Sequence, residues 1–194
     1  MLRPVRVLFS ILASFACVLA MHTPAYATAF TIDTTLLGST EVPPNASPAT
    51  GIAEITVNGD TLTVDETWSG LIGGNPAAAH IHCCADPGVN VGVAVGFPSF
   101  PATTSGSYFH VFNLLDSSIY TAAFLNGFGG GTAAGAEAAL IAGMLEGDAY
   151  VNIHNAVFPG GEIRGQLGPV PEPATLTLLA LGLAGGAIRR RRRS

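Results

Sequence analysis

Two histidines and two cysteines lie within the stretch AAAHIHCCADPG, residues 77–88. Imidazole nitrogens and thiolates are the ligands that zinc and copper ions most often take in proteins. Successive side chains of a β-strand point to opposite faces, so His80 and His82 share one face while Ile81 lies on the other. We expect Ile81 and its neighbour Ala79 to face the core.

The stretch YVNIH, residues 150–154, repeats this pattern late in the sequence. The same alternation puts Asn152 and His154 on the outward face. If the two strands are neighbours, His154 approaches His80 and His82, which is the arrangement that a zinc or copper site needs. The alternative is structural, because histidines also hydrogen-bond across a sheet or to a loop. We predict a structural histidine cluster without a cofactor and keep copper or zinc binding as the alternative.

Cys83 and Cys84 are the second possible source of chemistry in this stretch. Strand alternation places Cys84 on the histidine face. Adjacent Cα atoms lie about 3.8 Å apart across a trans peptide, below the usual disulfide span of about 4.4–6.8 Å, so a bond between neighbours is strained. The remaining cysteine, Cys17, lies in a segment that we expect to be removed. In an oxidising compartment we predict a vicinal disulfide, which would consume Cys84 as a metal ligand.

The first 27 residues have the three parts of a secretory signal peptide. The start is positively charged, residues 7–21 are almost wholly apolar, and Ala25-Tyr26-Ala27 offers the small residues that signal peptidase accepts. The apolar run could instead anchor the protein in a membrane, but Pro24 and the small residues favour cleavage. We therefore predict a signal peptide at 1–27 and an exported domain at 28–169.

The last segment, residues 170–194, combines a VPEP motif, the apolar run ATLTLLALGLAGGAI and an arginine cluster. Fifteen residues are fewer than the roughly 20 that span a bilayer, but arginine side chains can snorkel and the bilayer can thin locally. Five arginines are costly to translocate, so they should stay in the cytoplasm and hold a short transmembrane helix in the membrane. The motif is Val170, Pro171, Glu172 and Pro173, and the cluster is Arg189, Arg190, Arg191, Arg192 and Arg193.

This order of parts resembles a PEP-CTERM sorting signal. The resemblance implies an exosortase that cuts near the Pro-Glu-Pro, in bacteria that make exopolysaccharide, after which the protein is released or attached at the surface. The alternative is an ordinary tail anchor. We predict an exported protein with an inner-membrane intermediate and a final location at the cell surface or outside the cell.

The predicted exported domain is strongly acidic. Between residues 28 and 169 twelve acidic residues, one arginine and no lysine give a formal net charge of −11, whereas the whole chain carries −5 because of its terminal arginines. Such a surface repels phosphate backbones, so we exclude nucleic acid as a partner. It attracts cations and basic partners.

Alternating polar and apolar residues predict a mainly β fold. The clearest strands are GIAEITVNG and DTLTVDETWSG, joined at the hairpin signal Asn58-Gly59-Asp60. Further strands are predicted in FTIDTTL, AAAHIHCC, NVGVAV, GSYFHVFNL, AYVNIH and GEIRGQL. The alanine-rich residues 133–148 predict one inserted α-helix in spite of Gly143. We predict a single antiparallel β-sandwich of about seven or eight strands, in Greek-key or partly open barrel form.

Three stretches carry a second resemblance: GSTEVPPNASPATGIAEITV at 38–57, AAAHIH at 77–82 and YVNIHNAVFPGGEIRGQL at 150–167. Their order and spacing resemble the CHRD domain, the module named after chordin. The resemblance implies a secreted module without catalytic residues, and in chordin-like animal proteins the domain belongs to a protein that binds growth factors. The sequence departs from the family where Cys83-Cys84 replaces a common Gly-Pro pair.

Glu162 and Arg164 are the charged residues of the motif PGGEIRG. We expect them on one face of a strand, with Ile163 toward the core. The expected role is an exposed ion pair that adds less than about 1 kcal/mol. Because Arg164 is the single arginine between residues 28 and 169, the alternative is a contact with an external ligand.

These observations favour a non-catalytic CHRD-domain protein with a binding or structural role in the cell envelope or exopolysaccharide matrix. Its ligand would be an extracellular polysaccharide or a protein. The alternative is a metal-binding or redox-active protein that uses the histidine cluster. A His-x-His strand with a distant histidine resembles Cu,Zn superoxide dismutase locally, although the remaining ligand pattern of that enzyme is absent from this sequence.

Overall fold

Alternating apolar residues form eight β-strands within residues 29–168, the part of the chain that the computed structural model describes. Each strand predicted from the sequence is present. The strands are β1 Phe30–Leu37, β2 Thr50–Asn58, β3 Thr61–Ser69, β4 Pro76–Cys83, β5 Val93–Gly96, β6 Gly106–Asn113, β7 Ala149–Asn155 and β8 Ile163–Leu167. The predicted signal peptide and the predicted tail with its arginine cluster lie outside the described residues.

The eight strands form one antiparallel sheet in the order β5-β4-β7-β8-β1-β2-β3-β6. Because adjacent strands are twisted relative to one another, the sheet curls into a half-barrel. The predicted mainly β, antiparallel fold is confirmed, and its form is the partly open barrel, with one sheet in place of two stacked ones. The edge strands β5 and β6 do not pair with each other, and a cleft of about 770 Å³ lies between them.

The hairpin of β2 and β3 illustrates how the sequence pattern builds the core. Ile55 and Val57 are paired with Val64 and Leu62, and all four side chains are buried. The threonine and acidic residues between them point to the opposite face, as strand alternation requires. The turn uses Gly59 with a positive φ of 55°, which glycine adopts without steric cost.

Helix α2, Ala133–Glu146, packs its apolar face on the core of the sheet. The predicted helix is confirmed, with its end two residues earlier than expected because Gly147 takes the left-handed conformation that terminates helices. Leu140 and Met144 are buried against the sheet, whereas Leu145 is 41% exposed.

A shorter helix, α1 Ala122–Gly127, comes before α2 and is capped by the Thr121 side chain, which accepts a hydrogen bond from the Phe124 amide. Within residues 29–168, no helix is long and apolar enough to cross a membrane.

Candidate metal centre

Strands β4 and β7 are antiparallel neighbours, which brings the histidines of the two strands together. Their register pairs His80 with Asn152, His82 with Tyr150 and Ala78 with His154. The opposite face of both strands carries the apolar residues expected there, and Ala79, Ile81, Cys83, Val151 and Ile153 are all buried in the core. The histidines therefore lie on the face of the sheet that points away from the core.

His80, His82 and His154 form one compact cluster. Their ring centroids are 5.6 Å apart for His80 and His82, 5.1 Å for His80 and His154, and 5.7 Å for His82 and His154. One ligand atom from each ring lies within 4.8 Å of the others. His110, the fourth histidine of the described residues, lies apart on β6 against the ring of Phe112, at a centroid distance of 4.4 Å.

Backbone carbonyls in two loops set the orientation of two of the rings. The Nδ1 atom of His82 is 2.7 Å from the Val91 carbonyl, and the Nδ1 atom of His154 is 3.0 Å from the Pro159 carbonyl. Because a carbonyl oxygen only accepts hydrogen bonds, each Nδ1 carries the proton and each Nε2 keeps a lone pair. The hydrogen bonds to loops that the structural interpretation requires are therefore present, but they use only one nitrogen of each ring.

Each of the three rings has one buried nitrogen without a hydrogen-bond partner among residues 29–168. Nε2 of His82, Nε2 of His154 and Nδ1 of His80 are buried and unpaired among the described residues. Buried polar atoms are rarely left in this state, because an unpaired group costs about 1–3 kcal/mol.

The rings are uncharged at neutral pH, which is the form that binds metal ions. Burial lowers the pKa of His80 to about 4, and the neighbouring His154 and His82 lower it further. Burial also lowers the pKa of His82 to about 4, although the Val91 carbonyl acts in the opposite direction. The pKa of His154 is lowered by burial too, against the effect of the Pro159 carbonyl.

A stack of side chains supports the cluster from one side. The ring of His82 lies parallel to that of Tyr150 at a centroid distance of 4.5 Å, and the guanidinium of Arg164 covers the other face of Tyr150 at 3.3 Å. Arg164 also donates hydrogen bonds to the Asn90 side chain at 3.0 Å and the Val89 carbonyl at 3.2 Å. These bonds hold the loop that supplies the Val91 carbonyl.

The expected exposed ion pair of Glu162 and Arg164 is wrong. Both side chains are buried, and no ion pair joins them within residues 29–168. Strand β8 lies between β7 and β1, and loops cover its outer face, so Arg164 faces a loop in place of solvent or an external ligand. The Glu162 carboxylate accepts hydrogen bonds from the Ile72 amide, the Gly73 amide, the Ser47 hydroxyl and the Asn155 amide group.

Cys83 and Cys84 are joined in a vicinal disulfide that packs against α2. The Cys84 sulfur is 3.6 Å from the Ala139 carbonyl oxygen, and a Cβ atom at Gly143 would collide with both sulfur atoms. The expectation that Cys84 shares the histidine face is wrong, because β4 ends at Cys83 and strand alternation does not extend beyond it. The glycine inside the helix is explained by this close approach.

Two further residues of the site were not expected from the sequence. Glu41 is buried beside Asn152, and burial raises its pKa to about 7, although the Asn152 amide and the charge of Arg164 oppose the rise. The second residue is Tyr150, whose hydroxyl accepts a hydrogen bond from the Val91 amide and donates one to the Val91 carbonyl. Strand alternation identifies the outward face of β7, but two of the loops that cover it, those of Glu41 and Val91, come from distant parts of the sequence.

The fold and this covered polar face define a single-sheet β module with a buried histidine cluster. The family model of the CHRD domain matches residues 32–167, so the chain belongs to the CHRD domain family. A PEP-CTERM protein-sorting motif matches residues 169–193. This motif implies processing by an exosortase, export and sorting to the cell surface. Neither a curated protein nor a solved structure matches the chain.

The stretches that resemble the CHRD family meet in space around Glu162. The Asn45 side chain donates a hydrogen bond to the Glu162 carbonyl at 3.0 Å, and the Ser47 hydroxyl donates to the Glu162 carboxylate at 2.6 Å. The EVPP loop is thereby fixed against the hairpin of β7 and β8. These motif residues explain how the loops are held over the polar face.

Proposed function

We propose that the exported protein is a non-catalytic component of the cell surface or exopolysaccharide matrix that binds a transition metal ion. The ligands would be Nδ1 of His80, Nε2 of His82 and Nε2 of His154. The observation that carries this proposal is the convergence of three imidazole rings, each with one buried nitrogen that has no hydrogen-bond partner among the described residues. A bound cation satisfies all three at once, whereas no protein group among the described residues does so.

The chemistry of the donors favours zinc or copper. Neutral imidazoles bind both ions well, and calcium or magnesium would require oxygen ligands. The hydrogen bonds from His82 and His154 to loop carbonyls are the outer-sphere contacts that orient histidine ligands in metalloproteins. The formal charge of −11 between residues 28 and 169 attracts cations to the domain.

The metal content of protein isolated from the cell surface tests this proposal. We expect about one zinc or copper ion per chain, with loss of the ion in His82→Ala and in His154→Ala. His110→Ala is the matched control, because it removes an imidazole outside the cluster and should leave the content unchanged. Protein that contains neither ion and binds neither at micromolar concentration contradicts the proposal.

The sorting motif favours a second role for the same protein, attachment to a matrix polysaccharide or protein. Capture of partners from extracellular matrix, before and after digestion of the polysaccharide, tests this role. Retention that disappears on digestion supports a polysaccharide ligand. Electrochemistry of the copper-loaded protein tests the redox alternative, and a copper ion that cycles reversibly at physiological potentials would favour it.

A further inference from the structure

Asn152 lies in the middle of the polar face that carries the histidines. It is the cross-strand partner of His80, and it is flanked on β7 by Tyr150 and His154 on the same face. Only 1% of Asn152 is exposed, so its amide is removed from water. A buried amide needs partners for both its nitrogen and its oxygen.

The amide nitrogen has its partners on the side away from the histidines. Nδ2 donates to Oε1 of Glu41 and to the Gly160 carbonyl, each at 3.4 Å. Because the Gly160 carbonyl only accepts, the nitrogen must occupy this position and the amide cannot be reversed. Gly161 tightens the arrangement, since a Cβ atom there would lie 2.7 Å from Nδ2.

The amide oxygen is left without a partner. Six buried side-chain polar atoms are unpaired within residues 29–168, and four of them belong to His80, His82, His154 and Asn152. Asn152 is directly opposite His80 across β4 and β7, and it lies two residues from His154 on the same face of β7. The four residues with unpaired atoms are therefore neighbours on one face of the sheet.

Building on the proposed metal centre, we propose that Oδ1 of Asn152 is the fourth ligand, which completes a set of three nitrogens and one oxygen. Glu41 and Gly160 hold the amide so that its oxygen remains available to the ion. Four protein ligands are typical of zinc sites that hold the ion, whereas catalytic zinc sites keep one position open. A centre with four protein ligands would retain its ion, and the fourth ligand explains why Oδ1 of Asn152 has no other partner among the described residues.

Nuclear magnetic resonance of ¹³C,¹⁵N-labelled protein titrated with zinc tests this ligand without a mutation. Coordination through Oδ1 withdraws electron density from the Asn152 Cγ atom, so its resonance should shift more than those of Asn90 and Asn155, which serve as internal controls. A zinc-loaded protein in which the Asn152 Cγ resonance moves no more than the controls overturns the inference. Failure to bind zinc or copper at all would instead refute the metal centre itself.

Azide binding to the copper-loaded protein tests whether the fourth position is closed. We expect Asn152→Ala to bind azide more tightly than the unchanged protein, since the removed ligand opens a coordination position. Asn75→Ala, the same change at an exposed asparagine, should behave like the unchanged protein. Equal azide affinity in all three proteins, with copper bound in each, overturns the inference.

Discussion

Two kinds of buried, unpaired polar group distinguish this domain at the scale of single residues. The unpaired histidine and asparagine atoms belong to neighbouring residues on one face of the sheet, and the proposed cation would bind them together. Glu66 is different, because its carboxylate is fully buried in β3 and neither oxygen has a hydrogen-bond partner among the described residues. Burial raises the pKa of Glu66 from 4.5 to about 8. The side chain is therefore protonated in the folded protein at neutral pH.

Glu66→Gln should remove the loss of folding stability that Glu66 causes as the pH rises. The folded protein keeps the Glu66 proton up to about pH 8, whereas the unfolded chain loses it near pH 4.5, so the contribution of Glu66 lowers stability as pH rises between these values. We expect the melting temperature of Glu66→Gln, relative to the unchanged protein, to be higher at pH 8 than at pH 5. The comparison of the two proteins at each pH cancels the titration of the histidines. If the two melting temperatures differ by the same amount at pH 5 and pH 8, the pKa of Glu66 is not raised in the folded protein.

At the scale of secondary-structure elements, the approach of α2 to β4 is set by one glycine. Glycine inside a helix normally lowers stability by about 1 kcal/mol relative to alanine. At Gly143 the added methyl group would collide with the sulfur atoms of Cys83 and Cys84, so the helix or the disulfide must shift. Overpacking of this kind costs about 1–3 kcal/mol.

We therefore expect Gly143→Ala to lower the free energy of unfolding by about 1–3 kcal/mol. Gly127→Ala is the matched control, because that helical position has open space around it and the substitution should be neutral or stabilising. Chemical denaturation of the two variants measures both changes. Equal stabilisation by the two substitutions would show that α2 does not approach the disulfide closely.

The sequence predicts most elements of this fold but not the surroundings of the site. Alternation predicts that Ile81 points inward and His82 outward. Both predictions are confirmed, because each strand keeps one face on the core. Alternation does not show that the outward face of β8 is covered, and for that reason Arg164 is expected at the surface. Its burial depends on the loop that contains Asn90, which is far away in the sequence. The Nε2 lone pair of His82 depends on the same loop, which supplies the Val91 carbonyl.

At the scale of the whole molecule, export is compatible with the proposed metal binding. The CHRD domain lies between the predicted signal peptide and the sorting motif, which matches residues 169–193. An acidic domain presented outside the cell meets ions of the medium directly. The position of the motif also makes a prediction about the mature protein.

Protein extracted from the cell surface should lack the arginine cluster. If exosortase acts as the motif implies, the mature chain ends near Pro171–Pro173, and its amino terminus is Thr28 if the predicted signal peptide is removed. Intact-mass spectrometry measures both ends in one experiment. A surface species that still ends at Ser194 would contradict cleavage and favour the tail-anchor interpretation.

A crystal structure of protein isolated from the cell surface, with anomalous diffraction recorded at the zinc and copper absorption edges, tests the central claim most directly. The proposed centre predicts one anomalous peak between β4 and β7, bonded to Nδ1 of His80 and to Nε2 of His82 and His154. Zinc–nitrogen distances should be about 2.0–2.1 Å. An ordered histidine cluster without a peak, or with ordered water in hydrogen bonds to these three nitrogens, would contradict the account.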